Sequence, residues 1–419
     1  MALTKIITDN IDLSSDTTAL KIPKGTTAER PAGTTGMIRE NTDTGNVEVY
    51  NGSAWRALQQ TGQDTGVVGI NNFNSILYTG NGGTQSITTV FAPDLTWIKA
   101  REASASHALF DSIRGIYNII SSESTSSQSD LSPYGLTAFN SDGFAVSDIA
   151  SGGNAVNGSP GGTYSGTNAY YVSWSWKAGG SGLDNFYKDS TGYASLALAG
   201  LTAGNLTPTK SSVNTEAGFS IINYTGDSAA DSSFPHGLSS SPDLVIIKNK
   251  AANGTDWYVY SSSLAAGRNL ILNSDSGFNT NNNIRSTSAT TVTVSGDSTV
   301  NSSTASSMIA YSWTSIPGYS LIGSYEGSGL ATDTPKIYTG FLPAWLMVKR
   351  TDSAGDFNIV DNKRSPSNPR TIELAANSAA AESAPGSLVN FNSDGFQIIT
   401  TDTGWNAENG DYIFMCFAS

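Results

Sequence analysis

The feature that most constrains this chain is a degenerate pattern written three times. It opens with Tyr78-Thr79-Gly80-Asn81, Tyr224-Thr225-Gly226-Asp227 and Tyr325-Glu326-Gly327-Ser328. A Pro-led apolar run ending in lysine follows: Pro93 to Lys99, Pro242 to Lys248 and Pro343 to Lys349. Twelve residues past each lysine stand Asp111, Tyr260 and Asp361. The hexapeptide Phe139-Asn140-Ser141-Asp142-Gly143-Phe144 recurs letter for letter as Phe391 to Phe396, and Asn273 to Phe278 is read as its relative in the middle copy. Each copy closes on an aromatic run, Tyr171 to Trp176, Ile309 to Trp313 and Tyr412 to Phe417. Ordered signals at a fixed period mark a repeat architecture.

Within each copy, short runs of Val, Ile, Tyr, Phe and Trp alternate with Gly, Asn, Asp and Ser clusters, the pattern of strands joined by tight turns. Helical periodicity is confined to Leu196–Leu201 and Ile372–Ala381. The expected fold is all-β: an N-terminal β segment over 1–66, then three tandem antiparallel β-sandwiches, jelly-roll-like, over 67–180, 217–318 and 319–419. Residues 181–216 fit no copy and form an insertion or linker, too long to be a structureless loop, so they should pack against something. Alternation along Tyr171 to Trp176 predicts one buried and one wetted face.

Charge limits the partners. Lys and Arg number 22 against 35 Asp and Glu, a net charge of −13, whereas a nucleic-acid partner calls for a basic face. No run approaches the ~20 apolar residues of a membrane span. The N-terminus lacks a secretory apolar run, so synthesis in a cytoplasm is expected. Cys416, the one cysteine, reads as a small core residue.

Catalytic chemistry finds little support. His107, His236 and Cys416 lie too far apart in sequence to suggest a zinc site, His236 reads as a turn residue, and no glycine-rich loop matches a nucleotide fingerprint. The expectation is therefore no enzyme, no cofactor and no metal. The enzymatic alternative is a glycan depolymerase using two of Asp111, Asp142, Asp361, Asp394, Glu408 and Asp411, since glycoside hydrolysis needs paired carboxyls. Against it, Asp142 and Asp394 recur inside turn motifs, and Asp111 and Asp361 recur at one distance from a lysine. Such repetition suits scaffold residues better than a single site.

The first sixty residues differ in kind. Met37 to Asn41 and Val47 to Tyr50 read as a hairpin, with Asn51-Gly52 as a further turn signal. Its few apolar residues cannot close a core alone. Ile38, Val47, Val49, Tyr50 and Trp55 are therefore the candidate oligomerisation residues, with another copy of the chain as cover. Trp405 and Asn406, in an expected terminal loop, are the candidate glycan-binding pair, because sugars are held by aromatic faces and neutral hydrogen-bonding groups.

The run from Lys24 to Pro31, through Gly36 to Thr42, to Tyr50-Asn51-Gly52 and Trp55 resembles a short module of bacteriophage tail-fibre and related virion appendage proteins. The three sandwiches are similar to repeats of structural proteins from marine phages, particularly those infecting cyanobacteria. The resemblance implies a homotrimeric tail fibre, short fibre or spike on the virion exterior. Its N-terminal segment would be attached to tail, neck or capsid proteins, and its distal β domains would contact a host-surface glycan or protein. A capsid decoration protein or head or neck fibre without receptor binding is the alternative it leaves open.

Overall fold

One strand order occurs three times. Numbering the strands within each sandwich, the larger sheet runs 1-7-3-4 and the smaller 5-6-2. In the first sandwich the larger sheet is Phe73–Thr79, Tyr170–Trp176, Leu95–Ala100 and Ala108–Asp111; the smaller is Gly135–Asn140, Gly143–Ser147 and Thr84–Thr88. The second and third sandwiches repeat this order around the central strands Met308–Trp313 and Asp411–Phe417. Seven strands per sandwich replace the eight of a jelly roll. The computed structural model describes residues 22–42, 46–50, 55–57, 67–148, 156–158, 170–305 and 307–419. They belong to two units, Met1–Gln60 and Thr61–Ser419. The three sandwiches thus lie within a single unit.

The reason is the second face of each larger sheet. Expected to be wet, it is dry. Val172, Trp174 and Trp176 join Ile221, Ile246, Tyr311 and Trp313 of the second sandwich, and Trp345, Met347, Met415 and Phe417 of the third, in one shared core. Trp176 sits edge-on to Trp313 at 6.3 Å and to Trp345 at 5.7 Å. The opposite faces fill three separate sandwich interiors. Tyr171, Ser173 and Ser175 are wholly buried there. A strand buried on both faces reads as a continuous apolar and small-residue run, and alternation alone cannot reveal the second burial.

The sandwiches also exchange arms in a closed cycle. After strand 4, a segment leaves each sandwich and hydrogen-bonds to the next. Residues of the 118–130 arm reach the second sandwich, where Gln128 N donates to Lys250 O at 2.8 Å and Thr255 N to Thr125 O at 3.2 Å. The 270–279 arm reaches the third, with Phe278 N on Thr351 O at 2.7 Å and Gly355 N on Asp275 O at 2.8 Å. The 374–383 arm returns to the first, with Ala105 N on Ala379 O at 2.9 Å and an Arg101–Glu382 ion pair at 2.8 Å. First to second, second to third, third to first: one chain forms a ring of pseudo-threefold symmetry.

Three sequence readings change accordingly. Asn273 to Phe278 is an arm, not the counterpart of the repeated hexapeptide; the matching hairpin in the second sandwich joins Ile284–Thr287 to Thr291–Val294. Ile372–Ala381 is likewise an arm, containing the short strand Leu374–Ala375 rather than a helix. Leu244 faces Ser261, as Leu95 faces Asp111 and Trp345 faces Asp361. The true counterpart of the two aspartates is therefore Ser261, one residue past Tyr260, because the preceding turn is one residue longer. Residues 181–216 pack as expected of them. Phe186–Lys188, Thr191–Tyr193 and Pro208–Asn214 extend the second sandwich's larger sheet, and the helix Leu196–Ala199 lies among them.

In the N-terminal unit, Lys24–Gly25, Ile38–Asn41, Asn46–Tyr50 and Trp55–Ala57 form a four-stranded sheet in chain order. Register pairs Ile38 with Val49 and Glu40 with Val47, so Ile38, Val47 and Val49 share one face. Tyr50 pairs with Trp55 on the other, their rings 5.6 Å apart. That second face is partly covered within the chain: Trp55 Nε1 donates to Pro31 O at 3.3 Å, and Glu48, itself buried, takes Arg30 at 2.6 Å, while Tyr50 and Trp55 stay half-buried, as Val47 and Val49 do. The five oligomerisation candidates therefore do not form one surface. Tyr50 and Trp55 have partial intrachain cover, while Ile38 remains 47% exposed. The Asn51-Gly52 turn lies outside the described residues.

Candidate functional site

The repeated signals prove to be joints of the scaffold. The hydroxyls of Tyr78, Tyr224 and Tyr325 donate to the carbonyls of Val156, Val300 and Trp405. The next residue is each time a wholly buried asparagine, Asn157, Asn301 or Asn406. Its Oδ1 accepts the backbone N–H of Asn81, Asp227 or Ser328, closing the Tyr-x-Gly turn. A Cβ on Gly80, Gly226 or Gly327 would lie 2.1–2.3 Å from that backbone, so the approach demands glycine.

This corrects the glycan-binding assignment. Trp405 is 1% exposed and Asn406 is fully buried. Trp405 Nε1 donates to Glu373 Oε2 at 3.1 Å, and Asn406 Nδ2 to Leu330 O and Thr400 O. A sugar cannot stack on an indole that has no free face.

The carboxylate candidates divide. Asp111 and Asp361 are fully buried, each with an arginine three residues on: Arg114 Nε at 2.5 Å and Arg364 Nε at 2.6 Å. Each also accepts a bond from another sandwich. Tyr311 hydroxyl donates to Asp111 Oδ2 at 2.6 Å, and Trp174 Nε1 to Asp361 Oδ2 at 3.1 Å. At the third junction the equivalent positions hold Met415, Ser261 and Leu264. Two polar joints and one apolar joint thus close one ring. Asp142, Glu408 and Asp411 are exposed, and Asp394 is half-buried at its hairpin turn.

Of the remaining interior groups, Lys99, Lys349 and His107 serve joints between sandwiches. Lys99, Lys248 and Lys349 are buried, and burial lowers each ammonium to about 8. Lys99 Nζ donates to Ala379 O of the third sandwich, and Lys349 Nζ to Asp275 O of the second. His107 Nδ1 accepts Trp97 Nε1 at 2.7 Å, so its proton is on Nε2, facing Ala375 O and Ser378 O of the returning arm. Burial, aided by the Lys99 charge, lowers His107 to about 3. His236, buried at a strand end, accepts Leu238 N on Nδ1, and burial lowers it to about 4. Burial raises the Cys416 thiol, which is an inert core group. Among the described residues no cluster of three His, Cys, Asp or Glu could hold a metal.

Two cavities among the described residues bear on the ring. The one on the pseudo-threefold axis, lined by Trp176, Trp313 and Trp345, is about 20 Å³, room for a single water. The other, about 410 Å³, is polar and lined by Asn71, Asn72, Lys177, Asp189, Ser190, Asn214, Thr215 and Glu216. Sequence reasoning missed it, because its residues come from four separated segments whose meeting is set by the insertion.

The fold thus defines an all-β protein whose buried charges are structural and whose three sandwiches act as one body. Residues 69–419 match the family described as Domain of unknown function (DUF7483), and the chain belongs to that family. No curated protein and no solved structure matches it.

Proposed function

We propose that the chain is a non-enzymatic structural protein of a virion, an exterior appendage that assembles through its N-terminal unit and presents the three-sandwich ring toward the host surface. The observation that carries this reading is the use of the interior titratable groups. Asp111, Asp361, Lys99, Lys349 and His107 all join one sandwich to another. Catalytic groups need access to substrate, whereas these are closed to water and engaged with protein atoms. The repeated aspartates support display over a depolymerase for the same reason: the two most regular carboxylates are ion-paired in the core.

Assembly would use the Ile38, Val47 and Val49 face, where Ile38 is the most exposed of the five candidates, with Tyr50 and Trp55 on the opposite face. Net acidity favours a soluble, weakly adhesive exterior. The test is imaging of purified phage particles encoding this chain, with antibody against the ring, together with light scattering of the pure protein. Label on the particle exterior and a mass of three 43.7 kDa chains are expected. A monomer, or particles without label, would refute assembly or placement respectively.

A further inference from the structure

The ring's symmetry is also broken along the chain path, and this break builds a pocket. Between the second and third sandwiches the chain crosses directly, from Trp313 to Ser320. Between the first and second it detours through 181–216. The detour's hairpin, Phe186–Lys188 to Thr191–Tyr193, walls the 410 Å³ cavity together with Asn71-Asn72, Lys177 and Asn214 to Glu216. That volume lies at the small end of the range for ligand sites.

The floor is pre-set. Asn214 is 7% and Asn72 8% exposed. Asn214 Nδ2 donates to Asn72 Oδ1 at 3.1 Å and to Lys177 O at 3.3 Å; its Oδ1 accepts Ala217 N, and Asn72 Nδ2 donates to Val68 O. Both amides are held in one orientation. Asp189 is fixed as well, accepting Thr215 N at 2.7 Å and Thr215 Oγ1 at 2.9 Å.

The rim differs from the floor. The side chains of Asn71, Lys177, Ser190 and Glu216 have no hydrogen-bond or ion-pair partner among the described residues. The hairpin tip also carries strain. Asp189 and Ser190 have φ of 50° and 65°, the left-handed pair of a two-residue turn whose second position ordinarily takes glycine. Serine there retains a hydroxyl on the cavity wall against its conformational preference, and such outliers collect at functional positions.

We propose that this pocket binds a neutral monosaccharide or disaccharide unit. The proposal deepens, and rests on, the reading of the ring as a host-surface contact. Its chemistry selects the class: amides, a hydroxyl, an ammonium and a carboxylate supply donors and acceptors together, as sugar hydroxyls require. Asp189 and Glu216 outnumber Lys177, so the lining disfavours an anion. With no aromatic wall, binding depends on hydrogen bonds alone, which gives a dissociation constant on the order of millimolar.

Saturation-transfer NMR on the full chain tests this with D-glucose, D-galactose, D-mannose, N-acetyl-D-glucosamine, maltose and lactose, alongside sulfate and glucuronate. At least one neutral sugar should bind. The Lys177→Met/Glu216→Gln double variant should weaken it about tenfold or more with its melting temperature unchanged, since neither side chain supports the fold. Ser190→Gly should weaken binding while raising stability. The proposal is overturned if no neutral sugar binds at about 20 mM, if only the anions bind, or if the variants bind as well as the parent. Particle labelling is independent of all three results. Sugar binding by a chain absent from particles would remove the virion reading and leave the pocket, whereas a labelled particle whose protein ignores sugars would do the reverse.

Discussion

Removing Arg364 alone should damage the ring more than removing Arg364 and Asp361 together. Arg364→Leu leaves Asp361 fully buried, with bonds from Lys363 N, Arg364 N and Trp174 Nε1 and the charge of Arg370 nearby, but without its ion-pair partner. Breaking one half of a buried ion pair costs about 3–5 kcal/mol. Arg364 Nη2 also leaves Ile359 O without its 2.9 Å bond. The double variant Asp361→Ser/Arg364→Leu reproduces what the second sandwich already holds, Ser261 and Leu264. There Ser261 Oγ accepts Ser263 N at 3.3 Å, as Asp361 accepts Lys363 N at 3.0 Å, and Leu264 packs on the shared core. Beyond the Ile359 O bond, which both variants lack, its loss is the acceptor of the Trp174 indole, about 1–3 kcal/mol for a buried donor left unpaired. The pair should therefore recover about 2 kcal/mol relative to the single change, a coupling well above the ~0.5 kcal/mol scatter of independent sites. Urea unfolding followed by tryptophan fluorescence reads this as a midpoint difference at constant slope. A double variant as unstable as the single one, or more so, would refute the argument that the three junctions are interchangeable versions of one joint.

Two further perturbations follow from particular residues. Val90 has φ of 82° where the other sandwiches place Gly237 at 76° and Gly340 at 80°. Val90→Gly should relieve about 1–2 kcal/mol of left-handed strain against about 0.5–1 kcal/mol of added backbone entropy. A small rise in melting temperature is expected, and Gly340→Val should lower it; the opposite order would contradict the strain assignment. For pH, burial lowers His107 to about 3 from an unfolded value near 6.5. The unfolded chain then binds the extra proton first, so the contribution is fully present above pH 6.5 and is lost as pH falls toward 3. His107→Gln should be less stable at neutral pH, and its deficit should shrink between pH 6.5 and 4. A deficit independent of pH would show that His107 does not titrate in the unfolding equilibrium.

Much of the scaffold was legible because folding residues recur. The Tyr-x-Gly turn, the Pro-led strand and the aromatic closing strand each perform one local task three times, so each leaves a periodic trace. The closure of the ring left only half a trace: the aspartates and lysines recur, but their partners do not. Its contacts use Trp174, Tyr311 and Met415 at one equivalent position, three different residue types, two polar in their contact and one apolar. The buried asparagines 157, 301 and 406 were equally hidden: they stand at three different distances before their closing strands, and Asn406 beside a tryptophan resembled a sugar platform. Asn273 to Phe278 misled in the other direction. Its Ser-Asp-Ser-Gly is turn chemistry in any context, and only the strand register shows that it belongs to an arm. The polar pocket could not be read at all, since an insertion's packing partner is a tertiary fact.

The central claim is that three sandwiches share one core and one stability. Hydrogen exchange measured by mass spectrometry on the full chain tests it at the three equivalent strands, Tyr170–Trp176, Met308–Trp313 and Asp411–Phe417. Their slowest amides should exchange with the same opening free energy and shift together in Arg364→Leu, although the substitution lies in one sandwich. Three distinct opening energies, with only the third lowered by the substitution, would mean independent domains on a string.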